Sequence, residues 1–294
     1  MAWRSALRID PVASVERRES FADTFRVIDP SAPALPVGEL SAQRGDGVFE
    51  SLGVVDGHPQ EVEPHLERLA RSAELCDLPV PNLPQWREAI VTVAGVAGPG
   101  ENVMKLLLSR GVEGTDAPTA WITLADAPDN AAARTDGVRV ATLDRGYALD
   151  VPARAPWLLL GAKTLSYATN MAAIREAKRR GADDAVFVSS DGFVLEAPTA
   201  SVVLRVGERF ITPAPSVGIL HGTTQLSLFA HLEHRGFATE YATVSVAELA
   251  GADAAWLLSS VRLAAPIAEV DGKALPVDRA LTHEFNAYLL SPRD

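Results

Sequence analysis

Residues 124–137, LADAPDNAAARTDG, limit what this chain can fold into more than any other segment. The tract mixes alanine, proline, asparagine and aspartate without an apolar period, and it stands between two strand-like runs, AWITL and GVRVATL. A stretch of that kind interrupts a continuous core, so it predicts a break between two domains. We place a small N-terminal α+β domain at residues 1–125, an interdomain linker at 126–136 and a larger C-terminal domain at 137–294. A chain of 294 residues, 47% of them hydrophobic, is long enough to bury a core in each. The fold class is α/β, more narrowly α+β.

Patterns on either side of the break support that class. GVFESLGVVDGHPQEV predicts two strands around the turn Asp56-Gly57, after which Pro64 opens a helix with Leu66, Leu69 and Ala73 on one face. Beyond the linker, SYATNMAAIREAKRRG predicts a helix stopped by Gly181. Two hairpins follow, AVFVSS-DG-FVLEA and SVVLRV-GE-RFIT. TTQLSLFAHLEHRG predicts a helix ending at Gly236, Ser245 and Glu248 have capping-box spacing, and AAWLLSS reads as a buried strand.

Charge and cysteine content narrow the function classes. The net charge of −11 is spread along the chain, which argues against a nucleic-acid partner. No run approaches the roughly 18 apolar residues of a membrane span, and the single cysteine, Cys76, fits a reducing compartment. We therefore expect a soluble cytoplasmic protein. His231 and His234 lie three apart on a helical pattern without a third ligand, so no metal site is expected.

Lysine is scarce, with only Lys105, Lys163, Lys178 and Lys273. Lys178 and Lys273 stand in charged or turn-like surroundings, whereas Lys163 closes the apolar run PWLLLGAK. An amine held against leucines and a tryptophan meets the condition for a Schiff-base lysine; the structural alternative is a lysine snorkelling from a strand end. Glu196 ends the strand-like FVLE. It reads either as a half-exposed strand glutamate or as the carboxylate that keeps a pyridine nitrogen protonated. Gly222, Thr223 and Thr224 open a helix, where free N–H groups and the helix dipole suit a phosphate, and Ser260 could close over the same anion. An ordinary threonine N-cap is the alternative there.

Together these segments resemble the class IV (fold type IV) pyridoxal-phosphate enzymes, which include D-amino-acid and branched-chain aminotransferases and 4-amino-4-deoxychorismate lyase. The markers stand in family order: RGDGVFE at 44–50, HLERL at 65–69, SRG at 109–111, AKTLSY at 162–167, DGFVLE at 191–196, HGTT at 221–224 and AELAGAD at 247–253. The resemblance implies a two-domain fold and a homodimer using pyridoxal 5′-phosphate on a small amino substrate. It implies that Lys163 is the catalytic lysine, that Glu196 pairs with the pyridine nitrogen and that Arg68 holds the phosphate. It further implies that Tyr167 touches the phenolic oxygen, and that Gly222, Thr223, Thr224 and Ser260 complete the phosphate site. His221 and Gln225 stand where relatives often have proline and arginine, and Ser201 where many have asparagine.

Substrate contacts must separate the possible reactions. VMKLLLSRGVEG resembles the segment in which 4-amino-4-deoxychorismate lyases present a lysine and an arginine to substrate carboxylates, here Lys105 and Arg110. The spacing puts these two on opposite faces of a regular strand, so either the strand bulges near Ser109 or only Arg110 reaches substrate. Lys105 otherwise reads as a plain edge-strand lysine. Phe49 replaces the tyrosine, and Val112 the histidine, of D-amino-acid aminotransferases. The expected function is therefore a lyase forming p-aminobenzoate and pyruvate in folate biosynthesis. A D-amino-acid or branched-chain aminotransferase is the alternative, and a non-catalytic ligand-binding relative the reading from another class.

Overall fold

The computed structural model describes residues 2–294, which divide into two compact units. One comprises the residues up to Pro128 together with Ala162–Tyr167 and Pro292–Asp294; the other comprises Asp129–Gly161 and Ala168–Ser291.

The first unit is an antiparallel sheet with helices against it. Its strands are β1 (Trp3–Ile9), β2 (Phe25–Ile28), β3 (Gly47–Val55), β4 (His58–Pro59), β5 (Glu101–Ser109) and β6 (Thr119–Asp126), in the spatial order β2-β1-β6-β5-β3-β4. The helices are α1 (Leu40–Gln43), α2 (Val62–Leu75) and α3 (Leu83–Ala94). Asp56 and Gly57 both take positive φ and close the β3–β4 hairpin, the turn that an Asp-Gly pair favours. Alternation along the strands separates two faces. Val48, Leu52, Met104, Leu106, Leu108, Ile122 and Leu124 pack with Leu66, Leu69 and Ala73 of α2 and Trp86 and Ile90 of α3 in one dry core. Phe49, Ser51, Lys105, Leu107, Trp121 and Thr123 point the other way and are half-buried.

The segment Ala162–Tyr167 adds itself to the start of β3. Phe49 N–H donates to the Lys163 carbonyl at 3.0 Å, Leu165 N–H donates to the Gly47 carbonyl at 2.8 Å, and Val48 and Thr164 form an antiparallel bridge. β4 pairs only with Val54 and Val55, so the first residues of β3 offer an edge for this pairing. Gly47 is required there, because a Cβ would lie 2.7 Å from both the Leu108 carbonyl oxygen and the Leu165 side chain. The sequence reading assigned Lys163 to the C-terminal domain by chain order; its backbone hydrogen bonds group it with the first unit.

The second unit contains α4 (Ala131–Thr135), β7 (Val138–Asp144), α5 (Val151–Arg154), α6 (Ala168–Arg179), β8 (Asp184–Val188), β9 (Ser201–Val206), β10 (Arg209–Pro213), α7 (Thr223–His234), β11 (Ala238–Ala242), α8 (Val246–Ala250), β12 (Ala254–Ser259), β13 (Leu263–Val270), β14 (Lys273–Ala274) and α9 (Arg279–Leu290). Its sheet runs β11-β10-β9-β12-β13-β7-β8, with β14 on β13. β12, the AAWLLS run, is buried throughout, and Ser245 and Glu248 form the reciprocal capping box of α8. Part of the expected linker is the helix α4. FVLE is held by hydrogen bonds between Phe187 and both Leu195 and Glu196 but forms no continuous strand. Pro156–Leu158 form a short 3₁₀ turn whose Trp157 is 74% exposed, so this tryptophan is not the apolar wall anticipated for Lys163. No helix among the described residues is long and apolar enough to cross a membrane.

Candidate active site

The residues singled out for chemistry form two clusters, one in each unit. In the first, the hydrogen bonds of Ala162–Tyr167 to β3 bring Lys163 against Phe49, with Nζ 4.5 Å from the ring centroid. Tyr167 meets the same ring edge-on at 5.4 Å between centroids. The Lys163 backbone N–H donates to Ser72 Oγ on α2 at 3.1 Å, which fixes where the lysine leaves the chain.

One turn before Ser72, Arg68 is buried beside Glu50. Arg68 Nε and Nη2 each donate to Glu50 at 2.7 Å, and His65 Nδ1 lies 2.7 Å from the same carboxylate. Burial alone would raise the Glu50 carboxyl, but the Arg68 charge and the hydrogen bonds from Arg68 and His65 outweigh it and hold the group well below the usual carboxylate range. Glu50 and His65 lie inside the motifs RGDGVFE and HLERL, which by themselves assign them no role. The available signal was the i,i+3 spacing of His65 and Arg68, which puts both on one face of α2.

Lys105 and Arg110 separate. The register of β5 with β3 and with β6 runs unbroken to Ser109, so no bulge brings them together. Lys105 is in an interior strand, not at an edge. It stands directly opposite Ser51, on the face that carries Phe49. Arg110 follows the strand and ties loops together: Nε and Nη2 donate to Asp46, Nη2 also to the Cys76 carbonyl and Nη1 to the Asp77 carbonyl.

In the second unit, α7 begins at Thr223 with Gly222 as its N-cap and no side-chain cap. Ser260 Oγ lies 3.4 Å from Thr223 Oγ1 and 3.2 Å from Thr224 Oγ1, so three hydroxyls gather at the helix start. Gly222 is needed at this turn: a Cβ would stand 2.3 Å from Ser201 Oγ. The departures at His221 and Gln225 share one partner, the Tyr241 hydroxyl, at 3.2 and 3.1 Å. Glu196 Oε2 accepts the Leu220 N–H at 3.2 Å. Backbone donors, three hydroxyls and a glycine at a twelve-residue helix start fit a phosphate, and a carboxylate in the same unit fits a pyridinium. The residues present therefore suit pyridoxal 5′-phosphate.

The family model for amino-transferase class IV matches residues 47–270. The chain is 45% identical to a bifunctional aminodeoxychorismate lyase / D-amino acid transaminase of Mycobacterium tuberculosis, covering 85% of this chain and 90% of the relative. Among solved structures it is similar to the fold IV transaminase CpuTA1 of Curtobacterium pusillum, at 48% identity and TM-score 0.92, covering 98% and 97% of the two chains. It is also similar to the PLP-bound form of a hypothetical aminotransferase of Mycobacterium tuberculosis, at 41% identity and TM-score 0.87, covering 97% of each.

Proposed function

The chain belongs to the class IV aminotransferases, enzymes that use pyridoxal 5′-phosphate, and from that premise we propose that it is a 4-amino-4-deoxychorismate lyase that also transaminates D-amino acids. The observation that carries the reading is the Lys163 amine over the Phe49 ring, on the sheet face that also bears Lys105. The Lys163 amine suits chemistry at an amino group, and Lys105 suits a carboxylate. The pairing of both activities rests on similarity to the bifunctional relative.

In this reading Arg68, the N–H groups opening α7 and the hydroxyls of Thr223, Thr224 and Ser260 bind the cofactor phosphate. Glu50 and His65 keep the Arg68 guanidinium in one orientation. Glu196 holds a proton at the pyridine nitrogen, and Tyr167 donates to the phenolic oxygen. When bound, the pyridoxal ring supplies an electron sink for charge developing beside the substrate nitrogen. Lys163 is the proton carrier. Its amine takes a proton from the substrate ring carbon, and a proton returns to the enolpyruvyl methylene as the ring C–O bond breaks, giving p-aminobenzoate and pyruvate. Aromatisation drives this step. With a D-amino acid the same amine moves the α-proton. Cytoplasmic location rests on the lone cysteine, and a homodimer on the family resemblance.

The test supplies 4-amino-4-deoxychorismate to the holoenzyme and assays p-aminobenzoate and pyruvate together, with D-alanine and 2-oxoglutarate in a parallel tube. Equal amounts of the two products support the lyase. Transamination with the aminodeoxychorismate untouched would sink it.

A further inference from the structure

One cross-strand row runs over the outer face of the first sheet. Phe49 pairs with Leu107, Leu107 with Trp121, and Trp121 with Arg8. Beside it runs a second row, Ser51, Lys105, Thr123 and Ala6. Three strand spacings put the Arg8 backbone about 14 Å from that of Phe49, a span that a ring-bearing substrate bridges once the arginine reaches back along the face.

Over the Arg8 end, the sheet and the segment from Asp29 to Leu35 border a half-open cavity of about 460 Å³, a volume suited to a small ligand. Its walls include the indoles of Trp3 and Trp121 with Pro33 and Leu35, and Arg8 borders it. Arg8 Nε is buried without a hydrogen-bond partner. Its nearest carboxylate, Asp10, is 4.0 Å away, and both Asp10 oxygens accept from Arg26 instead. The acid in the cavity wall, Asp29, accepts from the Ser31 backbone and hydroxyl. The Arg8 side chain is 38% exposed, so its guanidinium, with Nε left without a partner inside the chain, is open to an anion at the cavity mouth.

We propose that this cavity is the distal carboxylate subsite of the enzyme: Arg8 binds a carboxylate of a planar, ring-bearing anion against the Trp121 indole while the amino group of that anion lies toward Lys163. The inference rests on the function proposed above and extends it to a substrate class. A ring acid reaches Arg8 and D-alanine is too short to do so, so Arg8 separates the two substrates by size and charge.

The experiment titrates 4-aminobenzoate into the holoenzyme by calorimetry and measures KM for 4-amino-4-deoxychorismate and for D-alanine, in the wild type, Arg8→Gln and Arg8→Lys. Arg8→Gln is expected to weaken 4-aminobenzoate binding about 10–100-fold, the loss of one charge-assisted hydrogen bond. KM for the aminodeoxychorismate should rise by a similar factor and far more than KM for D-alanine. Arg8→Lys, which keeps the charge without the fork, should recover part of both losses. Cofactor absorbance and melting temperature report whether each variant is folded and loaded. Unchanged 4-aminobenzoate affinity in Arg8→Gln, or equal rises in both KM values, overturns the subsite. A wild type that makes no p-aminobenzoate yet binds it through Arg8 keeps the subsite and refutes the lyase. A working lyase indifferent to Arg8 does the reverse.

Discussion

On the helix-covered face of the first sheet, charge is present and paired within the chain. Glu50 is fully buried, and its carboxylate takes two hydrogen bonds from Arg68 and one contact from His65. On the opposite face of the same strands, Lys163, Lys105 and Arg8 stand half-buried among Phe49, Leu107 and Trp121. A single step along β3, from Glu50 to Phe49, crosses from one regime to the other, because strand side chains alternate. The helix-covered face offsets the Glu50 charge with Arg68 and His65 from the same chain, whereas the half-open face carries cations with no such buried carboxylate beside them.

The largest effect expected on the open face comes from Lys163→Ala. Turnover of both substrates should vanish while urea unfolding remains near wild type, and any retained turnover would remove Lys163 from the mechanism. On the helix-covered face the expected loss is stability. Glu50→Gln removes the buried carboxylate that Arg68 and His65 share and should cost about 3–5 kcal/mol of unfolding free energy at neutral pH, measured by urea denaturation. A loss near zero would mean that Glu50 is not the carboxylate that offsets Arg68.

Acid sharpens the same contrast. The folded Glu50 carboxyl is held below its ordinary value of 4.5 by Arg68 and His65, against burial, which raises it. Its contribution is therefore complete above about pH 4.5 and is lost as pH falls below that toward the folded value. The stability gap between wild type and Glu50→Gln should narrow on going from pH 7 to pH 3.5, and a constant gap would contradict the assignment. The smallest effect belongs to the second unit. Ser260→Ala removes one neutral hydroxyl from the group at the start of α7 and should weaken cofactor affinity by about 1 kcal/mol, about 5-fold, with kcat nearly kept. A collapse of kcat at saturating cofactor would give Ser260 another role.

What could be read from the sequence was mostly local. The apolar face of α2, the Asp56-Gly57 turn, the capping box of α8 and the helix that starts at Thr223 all follow from spacing over a few residues. The unit to which Lys163 belongs was not legible, since backbone hydrogen bonds to the distant residues Gly47 and Phe49 decide it. The environment of that lysine was misjudged for a related reason: composition suggested Trp157, while tertiary pairing supplied Phe49. Arg110 stood in the expected motif, yet its bonds to Asp46, Cys76 and Asp77 depend on how three loops converge. Arg8 carried no signal at all, because its meaning comes from strand order and register across four strands.

The central claim, that Lys163 and not Lys105 on the same sheet face holds the cofactor, is tested most directly by reducing the holoenzyme with borohydride and mapping the phosphopyridoxyl mass to a peptide. The account predicts that the mass lies on Lys163 alone. Its appearance on Lys105, or on no lysine, would contradict the assignment of this face as the active site.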